Sequence, residues 1–302
     1  MPKTRRVRVK VDNTELELSN LDKSMYPDFT KAEVIDYYTR IAPVLLPHLR
    51  NRPVTRIRYP DGVGGQSFFE KNAPNHTPRW VRTANLPSPG SSVGRETIDY
   101  IMVDDLPTLV WLANLAALEL HTPQWTVGPK DAGKDPDRLV FDLDPGAPAG
   151  LPECLQVALL LRERLAADKL VAYPKTSGKK GMQLVCAVSG RQDDRVISGF
   201  AKRLAEQIER EQPKLVVSRM AKKLRSGKVF IDWSQNNAAK TTVTPYSLRA
   251  QQDPTVSTPL TWDEVAAGGR PRFTAAEVLE RVDEYGDLMA PVCDPGPRVP
   301  VS

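Results

Sequence analysis

Apolar residues along this chain follow two rhythms, a recurrence every three to four positions and a strict alternation, and these divide it into helices and strands. A capping box opens the first helix: Thr30 is followed three residues later by Glu33, and Val34, Ile35, Tyr38, Ile41 and Ala42 then recur at helical spacing. Pro53 to Tyr59 alternates as a short strand, and Gly62, Gly64 and Gly65 mark a turn before Phe68-Phe69. Residues 84–95 read as a loop, and Ile98 to Val103 as a strand. Pro107 suits the first turn of a strongly apolar helix predicted to run to about Leu120, with a loop over 122–138.

The second half begins with an apolar strand around Asp142 and a helix from about Pro152 to Lys169. A strand near Leu170–Tyr173, a polar turn from Thr176 to Gly181 and a strand over Met182–Val188 follow. A helix is expected over about Arg195–Gln212, then strands near Leu215–Val217 and Val229–Trp233. Two more capping boxes, Thr261/Glu264 and Thr274/Glu277, open short helices before a Pro-rich, extended tail from Pro291. This interleaving predicts a mixed α/β protein and leaves strand order open.

The stretch Leu139-Val140-Phe141-Asp142-Leu143-Asp144-Pro145-Gly146 changes the picture most. On a strand, Asp142 and Asp144 point to one face while Phe141 and Leu143 point into the opposite layer. Two acids side by side repel unless a cation lies between them, and oxygen ligands of this kind suit Mg²⁺ or Mn²⁺. The natural use is divalent-metal chemistry on phosphates. Asp232, in the alternating Lys228–Ser234 segment, offers a third acid from a different strand. A two-metal site needs such shared carboxylates to hold ions about 3.5–4 Å apart. The plainer reading is a turn at Asp144-Pro145-Gly146 and a strand-capping Asp232, and DxD also serves nucleotide-sugar glycosyltransferases.

Composition narrows the class. At 302 residues, 40% hydrophobic and 26% charged, the chain is an ordinary globular protein with room for one large or two medium domains. No apolar run approaches the ~20 residues of a membrane helix, and the basic first ten residues lead into no signal-type apolar stretch. Cys154, Cys186 and Cys293 form no CxxC pair, which excludes a zinc ribbon and a disulfide framework and fits a reducing cytoplasm. The net charge of +5 is concentrated in acid-free blocks at residues 1–10 and 214–228, which point to a polyanionic partner or to solvated basic faces.

Other segments gain meaning from this company. Lys175-Thr176-Ser177-Gly178-Lys179-Lys180-Gly181 could cradle phosphate, though it is not a Walker A sequence and equally suits an exposed basic turn. Asn20, Lys23 and Lys31 flank the first helix start, where free N–H groups and two ammonium groups would suit a terminal phosphate; a surface cap is the alternative. Phe68 and Phe69 are adjacent on a strand and cannot both enter one core, so one is free to stack on a base unless two layers bury them. His121, expected just after the apolar helix, reads by default as a capping or core-polar residue.

In order along the chain stand SNLDKxxYP, QSFFEKN, ALELHTPQW, FDLDPG, KTSGKKG, FIDWSQNN and TPYSLR. This series resembles the polymerase domain of bacterial end-joining DNA ligase D, a branch of the archaeo-eukaryotic primase superfamily. With no ligase or nuclease module following, it is similar to the stand-alone primase-polymerases of actinobacteria. The resemblance implies a single domain over 1–302, with an N-terminal α/β module to about 135 and a catalytic module over about 136–302. The catalytic sheet would be of RNA-recognition type, and the zinc module of cellular primases absent.

The resemblance also implies roles. Asp142, Asp144 and Asp232 would bind two Mn²⁺ or Mg²⁺ ions. Ser177, Lys180 and Arg249 would grip the phosphates of an incoming NTP or dNTP, with His121 near the nucleotide and Arg225 supporting the nucleotide or template. Asn20, Lys23 and Lys31 match a pocket for the 5′-phosphate of gapped or broken DNA, and Phe68 and Phe69 match aromatics that stack on the template. Gln183 stands where the family commonly has a histidine that reaches the nucleotide; glutamine never carries positive charge, so either phosphate binding is less charged or Lys179 compensates.

The expected activity is therefore gap filling or primer extension at DNA breaks, by a two-metal mechanism that prefers ribonucleotides. A separate ligase and Ku would be partners, in a cytoplasmic, nucleoid-associated setting with no membrane. De novo priming and a catalytically weak break-binding module that recruits a ligase are the alternatives. A DxD glycosyltransferase would leave the basic block before Asp232 and the Lys23/Lys31 pair unexplained.

Overall fold

The computed structural model of the protein describes residues 6–87 and 96–301. An antiparallel hairpin comes first, β1 (Arg6–Val11) and β2 (Thr14–Ser19), and strict alternation puts Arg6, Arg8 and Lys10 outward. The N-terminal basic block is thus one solvent face of a ribbon from Arg6 onward; Lys3 and Arg5 lie outside the described residues. A short pair, β3 (Ser24–Tyr26) and β4 (Phe29–Thr30), leads into α1 (Lys31–Leu49). The expected capping box is formed, with Thr30 accepting from the Glu33 N–H and the Glu33 carboxylate accepting from the Thr30 N–H at 2.7 Å.

Strands β5 (Pro53–Arg58), β6 (Phe68–Glu70), β7 (Thr83–Pro87) and β8 (Thr97–Met102) follow. Part of the expected loop over 84–95 is therefore strand, and its remainder, residues 88–95, lies outside the described residues. Helix α2 (Leu106–Asn114) ends well before Leu120, because Ala116 turns the backbone to φ +59° and β9 (Ala117–Thr122) begins. The expected loop over 122–138 likewise contains a hairpin, β10 (Trp125–Val127) with β11 (Gly133–Pro136).

The second half builds β12 (Arg138–Pro145), α3 (Leu151–Ala167), β13 (Ala172–Thr176), β14 (Met182–Ala187), α4 (Asp194–Glu211), β15 (Val216–Val217) and β16 (Val229–Asp232). The sheet order is β13-β14-β12-β16-β15, with only the last pair parallel. The run β12–α3–β13–β14–α4–β16 is a β-α-β-β-α-β unit with its first strand central, the expected RNA-recognition-type arrangement. Leu139, Phe141 and Leu143 are fully buried in one core with Cys154, Val157 and Leu161 of α3 and Ile197 and Ala201 of α4. Covering that face with helices leaves the other face of β12 for its two aspartates.

The rest of the chain ties two sheets together. β17 (Thr242–Val243) pairs with β9, completing a sheet of order β17-β9-β5-β8-β7 with β6 on the side of β5. A further hairpin, β18 (Leu248–Ala250) with β19 (Pro254–Val256), precedes α5 (Trp262–Ala266) and α6 (Ala275–Tyr285). Both expected capping boxes, at Thr261/Glu264 and Thr274/Glu277, are formed. Among the described residues no helix is long and apolar enough to cross a membrane.

Candidate active site

Strand register assembles the acids. On β12, Asp142 faces Gln183 of β14 on one side and Asp232 of β16 on the other, and Gln183 in turn faces Lys175 of β13. Directly opposed residues share a face, so Lys175, Gln183, Asp142 and Asp232 form one polar row across four strands. Asp144, two residues along β12, lies on that same face.

The row is electrostatically strained. Burial, then the charges of Asp144 and Asp232, push the Asp142 carboxyl up to about 7, while a hydrogen bond from Gln183 works the other way. Asp144 is raised by burial and by Asp232, with the Arg225 guanidinium opposing. Lys175 is fully buried, and burial and Arg249 drive its proton affinity well down. Its Nζ is spent on Val243 O at 3.0 Å and Ser257 Oγ at 2.6 Å.

The donor set fits hard divalent cations: oxygen-only ligands, clustered, with charge the protein leaves unneutralised. Among the described residues no three His, Cys, Asp or Glu side chains already converge as a metal cage. Asp232 is engaged locally: its Oδ1 accepts from the Ser234 N–H at 3.0 Å and from the Ser234 hydroxyl, and its Oδ2 from Gln235 Nε2 at 2.9 Å. Asp232 thus caps the turn Trp233–Asn236 as well as standing beside Asp142.

A cleft of about 450 Å³ opens in front of the row, lined by Asp142, Asp144, Gln183, Ser177, Lys180, His121 and Arg249 among others. Seven residues expected to act together therefore share one cavity. Lys179 lines it too, whereas Asp232 and Arg225 do not. The Ser177–Gly181 turn is closed on itself: Ser177 Oγ accepts the N–H groups of Lys179 and Gly181, both at 3.2 Å. Gly181 is required there, because a Cβ would lie 2.1 Å from Leu143 O on the catalytic strand. Gly146 has the matching role, with Arg225 O only 2.0 Å from where its Cβ would be. Arg225 stacks on Phe230, its guanidinium carbon 3.7 Å from the ring centroid, and is placed beside the Asp144 end of the strand.

His121 belongs to strand β9, not to a helix end, so the capping role does not hold. Its neighbour Glu119, which the sequence reading passes over inside the supposed helix, is fully buried and bonds His121 Nε2 at 3.0 Å. The alternation Leu118-Glu119-Leu120-His121 is the signal for both. Lys175, read from the sequence as the start of the phosphate turn, is instead buried in the row and does not line the cleft.

A second cavity, about 570 Å³, adjoins the first through Gln251 and is lined by Ser24–Pro27, Asp61–Gly64 and Ala250–Gln252. Beside it lies the Asn20–Lys31 turn, with Asn20 at φ +54°. The expected free N–H groups of α1 are not free: Lys31 N donates to Lys23 O at 2.8 Å and Ala32 N to Leu21 O at 3.0 Å. Any anion there must rely on side chains. Lys31 is buried, with its proton affinity lowered to about 8 by burial and by Lys23 and Arg58, while Lys23 pairs with Asp61 at 2.7 Å. Phe68 and Phe69 are both exposed, at 42% and 60%, so neither is buried between layers.

Comparison with known proteins matches this geometry to a family. A family model described as LigD, primase-polymerase domain, matches residues 30–289. The chain belongs to the LigD primase-polymerase family. It is 44% identical over 279 residues to the multifunctional non-homologous end joining protein LigD of Mycolicibacterium smegmatis, covering 92% of this chain but 36% of that protein. The Bacillus subtilis bifunctional LigD is 34% identical, with 90% and 43% covered. The chain thus spans between a third and a half of the length of these LigD relatives. Among solved structures, the polymerase domain of Mycobacterium tuberculosis ligase D in complex with DNA superposes with a TM-score of 0.87 at 40% identity. That match covers 92% of this chain and 98% of the other, so the LigD primase-polymerase fold is shared throughout.

Proposed function

We propose that this chain is a DNA-dependent nucleotidyltransferase that extends a primer at short gaps or breaks in end-joining repair, preferring ribonucleotides. The observation that supports the reading is that Asp142 and Asp144 line a cleft rimmed by Ser177, Lys179, Lys180, His121 and Arg249, with Asp232 paired to Asp142 in register just outside its lining. One wall is anionic and the other cationic, the division that a metal–polyphosphate substrate requires.

Asp142, Asp144 and, once turned from Ser234 and Gln235, Asp232 would hold two Mg²⁺ or Mn²⁺ ions. Such ions lower the pKa of a primer 3′-hydroxyl and stabilise a departing pyrophosphate. The Ser177–Gly181 turn, Lys180 and Arg249 bind the triphosphate, and His121 holds the nucleotide from the opposite sheet. Gln183 lines the cleft and also steadies the Asp142 carboxylate beside it. Arg225, off the cleft, positions the Asp144 end of the strand. Asn20, Lys23 and Lys31 take a downstream 5′-phosphate, and Phe68 and Phe69 stack on the template. Ku and a separate ligase are the partners this role calls for.

Primer extension on a 5′-phosphorylated short-gap duplex tests the reading, with Mn²⁺, NTPs against dNTPs, and Asp142→Ala against wild type. Metal-dependent extension that the variant loses is expected. Tight gap binding without extension by the wild type would instead make the chain a break-binding module.

A further inference from the structure

Glu119 has no exposed surface, yet four groups converge on its carboxylate. Oε2 lies 3.0 Å from His121 Nε2 and 3.3 Å from Arg249 Nε. Oε1 lies 3.2 Å from Lys179 Nζ and accepts the Ala250 N–H at 3.0 Å. His121, Lys179 and Arg249 all line the nucleotide cleft, whereas Glu119 lies behind them. A carboxylate behind a phosphate grip repels the ligand, so holding one there needs a reason.

The partners differ in freedom. The side chains of Arg249 and His121 are 9% and 14% exposed, and that of Lys179 is 37% exposed. Arg249 is anchored further by its own backbone, whose carbonyl accepts the Tyr26 hydroxyl at 3.1 Å. Lys179 is therefore the partner able to leave. Burial alone would raise the Glu119 carboxyl, but the His121 bond and the charges of Arg249, His121 and Lys179 outweigh it and hold the carboxyl at about 2.

We propose that Glu119 is a positioning residue of the nucleotide cleft: a buried anion that fixes Arg249 and His121 and stores Lys179 until a triphosphate displaces it. This rests on the reading of the cleft as a triphosphate site. A polyphosphate carries several negative charges against one carboxylate, so it outcompetes Glu119 for the mobile ammonium group and leaves the two buried partners in place. In the empty cleft the stored ion pair keeps Lys179 off Asp142 and Asp144, where it would occupy the place of a cation ligand.

Inorganic tripolyphosphate is the probe, titrated calorimetrically into the full chain. Glu119→Gln keeps the shape and the acceptor for Ala250 but loses the charge. The variant is expected to bind tripolyphosphate roughly tenfold more tightly, because no anion competes. Lys179→Met is expected to weaken binding several-fold in the wild type, and the gain from Glu119→Gln is expected to shrink when both are combined. In primer extension Glu119→Gln should lower both kcat and KM for the nucleotide. A merely structural role would cut the active fraction and leave KM alone.

A folded Glu119→Gln protein with unchanged or weaker tripolyphosphate binding overturns the inference. If that variant does not fold, Lys179→Met decides: unchanged binding overturns storage, and weaker binding supports it. Wild-type protein that fails to bind tripolyphosphate at all would overturn the triphosphate reading of the cleft itself.

Discussion

Replacing Gly181 by alanine tests how tightly the phosphate turn is set against the catalytic strand. The new Cβ would lie 2.1 Å from Leu143 O and 3.3 Å from Pro145 Cδ. Carbon–oxygen contact is comfortable from about 3.3 Å, so turn and strand must part by roughly 1 Å. Neither side yields cheaply. Leu143 is buried in the central strand, and the turn is closed by the Ser177 N–H on Gly181 O at 2.9 Å. The strain should cost about 1–3 kcal/mol, in the range of overpacked interiors. Its larger effect is geometric, since it moves Ser177 and Lys180 away from Asp144. A misplacement of about 1 Å costs on the order of a hundredfold in rate.

The assay is kcat/KM for single-nucleotide insertion at a gap, beside urea denaturation of the same samples. Gly199→Ala is the control: it lies within α4, and only the flexible end of Arg203 comes near, at 3.5 Å. It should stabilise the fold by about 0.5–1 kcal/mol and leave insertion alone. A Gly181→Ala enzyme within threefold of wild type would refute the view that this turn is held in register by backbone contact with β12.

Three further outcomes follow from charge and exposure. In EDTA, Asp142→Asn should gain stability relative to wild type as pH rises. The wild-type carboxyl is raised to about 7 against about 3.9 unfolded, so the folded state binds more protons between those values and loses stability across them; equal wild-type and variant pH profiles in urea denaturation would contradict this. Lys31, held at about 8, should take up a proton when a 5′-phosphate binds near pH 8.5, because the anion restores the charge that burial suppresses; calorimetry in two buffers of different ionisation enthalpy reads the uptake, and a value of zero there rules out contact with Lys31. Phe68→Ala and Phe69→Ala should leave stability within about 0.5 kcal/mol, yet weaken binding to gapped DNA by about 1–3 kcal/mol each; unchanged affinity in a polarisation titration would remove both from the template path.

What the sequence makes legible here is local. The three capping boxes act over three residues and are all formed. Alternation in Phe141-Asp142-Leu143-Asp144 identifies both the strand and its two faces, because burial on one side and charge on the other share a period of two. The row across β13, β14, β12 and β16 depends on register between strands up to about ninety residues apart, and no local pattern encodes that. Glu119 is a different failure. The apolar run from Leu106 reads as one helix to Leu120, and no glycine or proline marks the break, which falls on Ala116 in the left-handed region. The ribbon from Arg6 to Ser19 carries clear alternation, but a reading for charge passes over it.

The arrangement also explains how opposite charges coexist in one cleft without cancelling. Asp142 and Asp144 keep raised pKa values through burial and their neighbouring carboxylates, and four nearby cations are committed elsewhere rather than paired with them. Lys175 is held by Val243 and Ser257, Arg225 by Phe230 and Met220 O, and Lys179 and Arg249 by Glu119. Were any of these free to pair with the aspartates, the acids would be neutralised and the cleft would attract neither a divalent cation nor a polyphosphate strongly. Lys175 and Arg225 are each held in part by a backbone carbonyl, and Lys179 and Arg249 share one buried carboxylate on the opposite sheet, so the separation is built into the packing of the two sheets. The helix-covered face of β12, with Leu139, Phe141 and Leu143 fully buried, supplies the stability that offsets a repelling pair of acids on its other side.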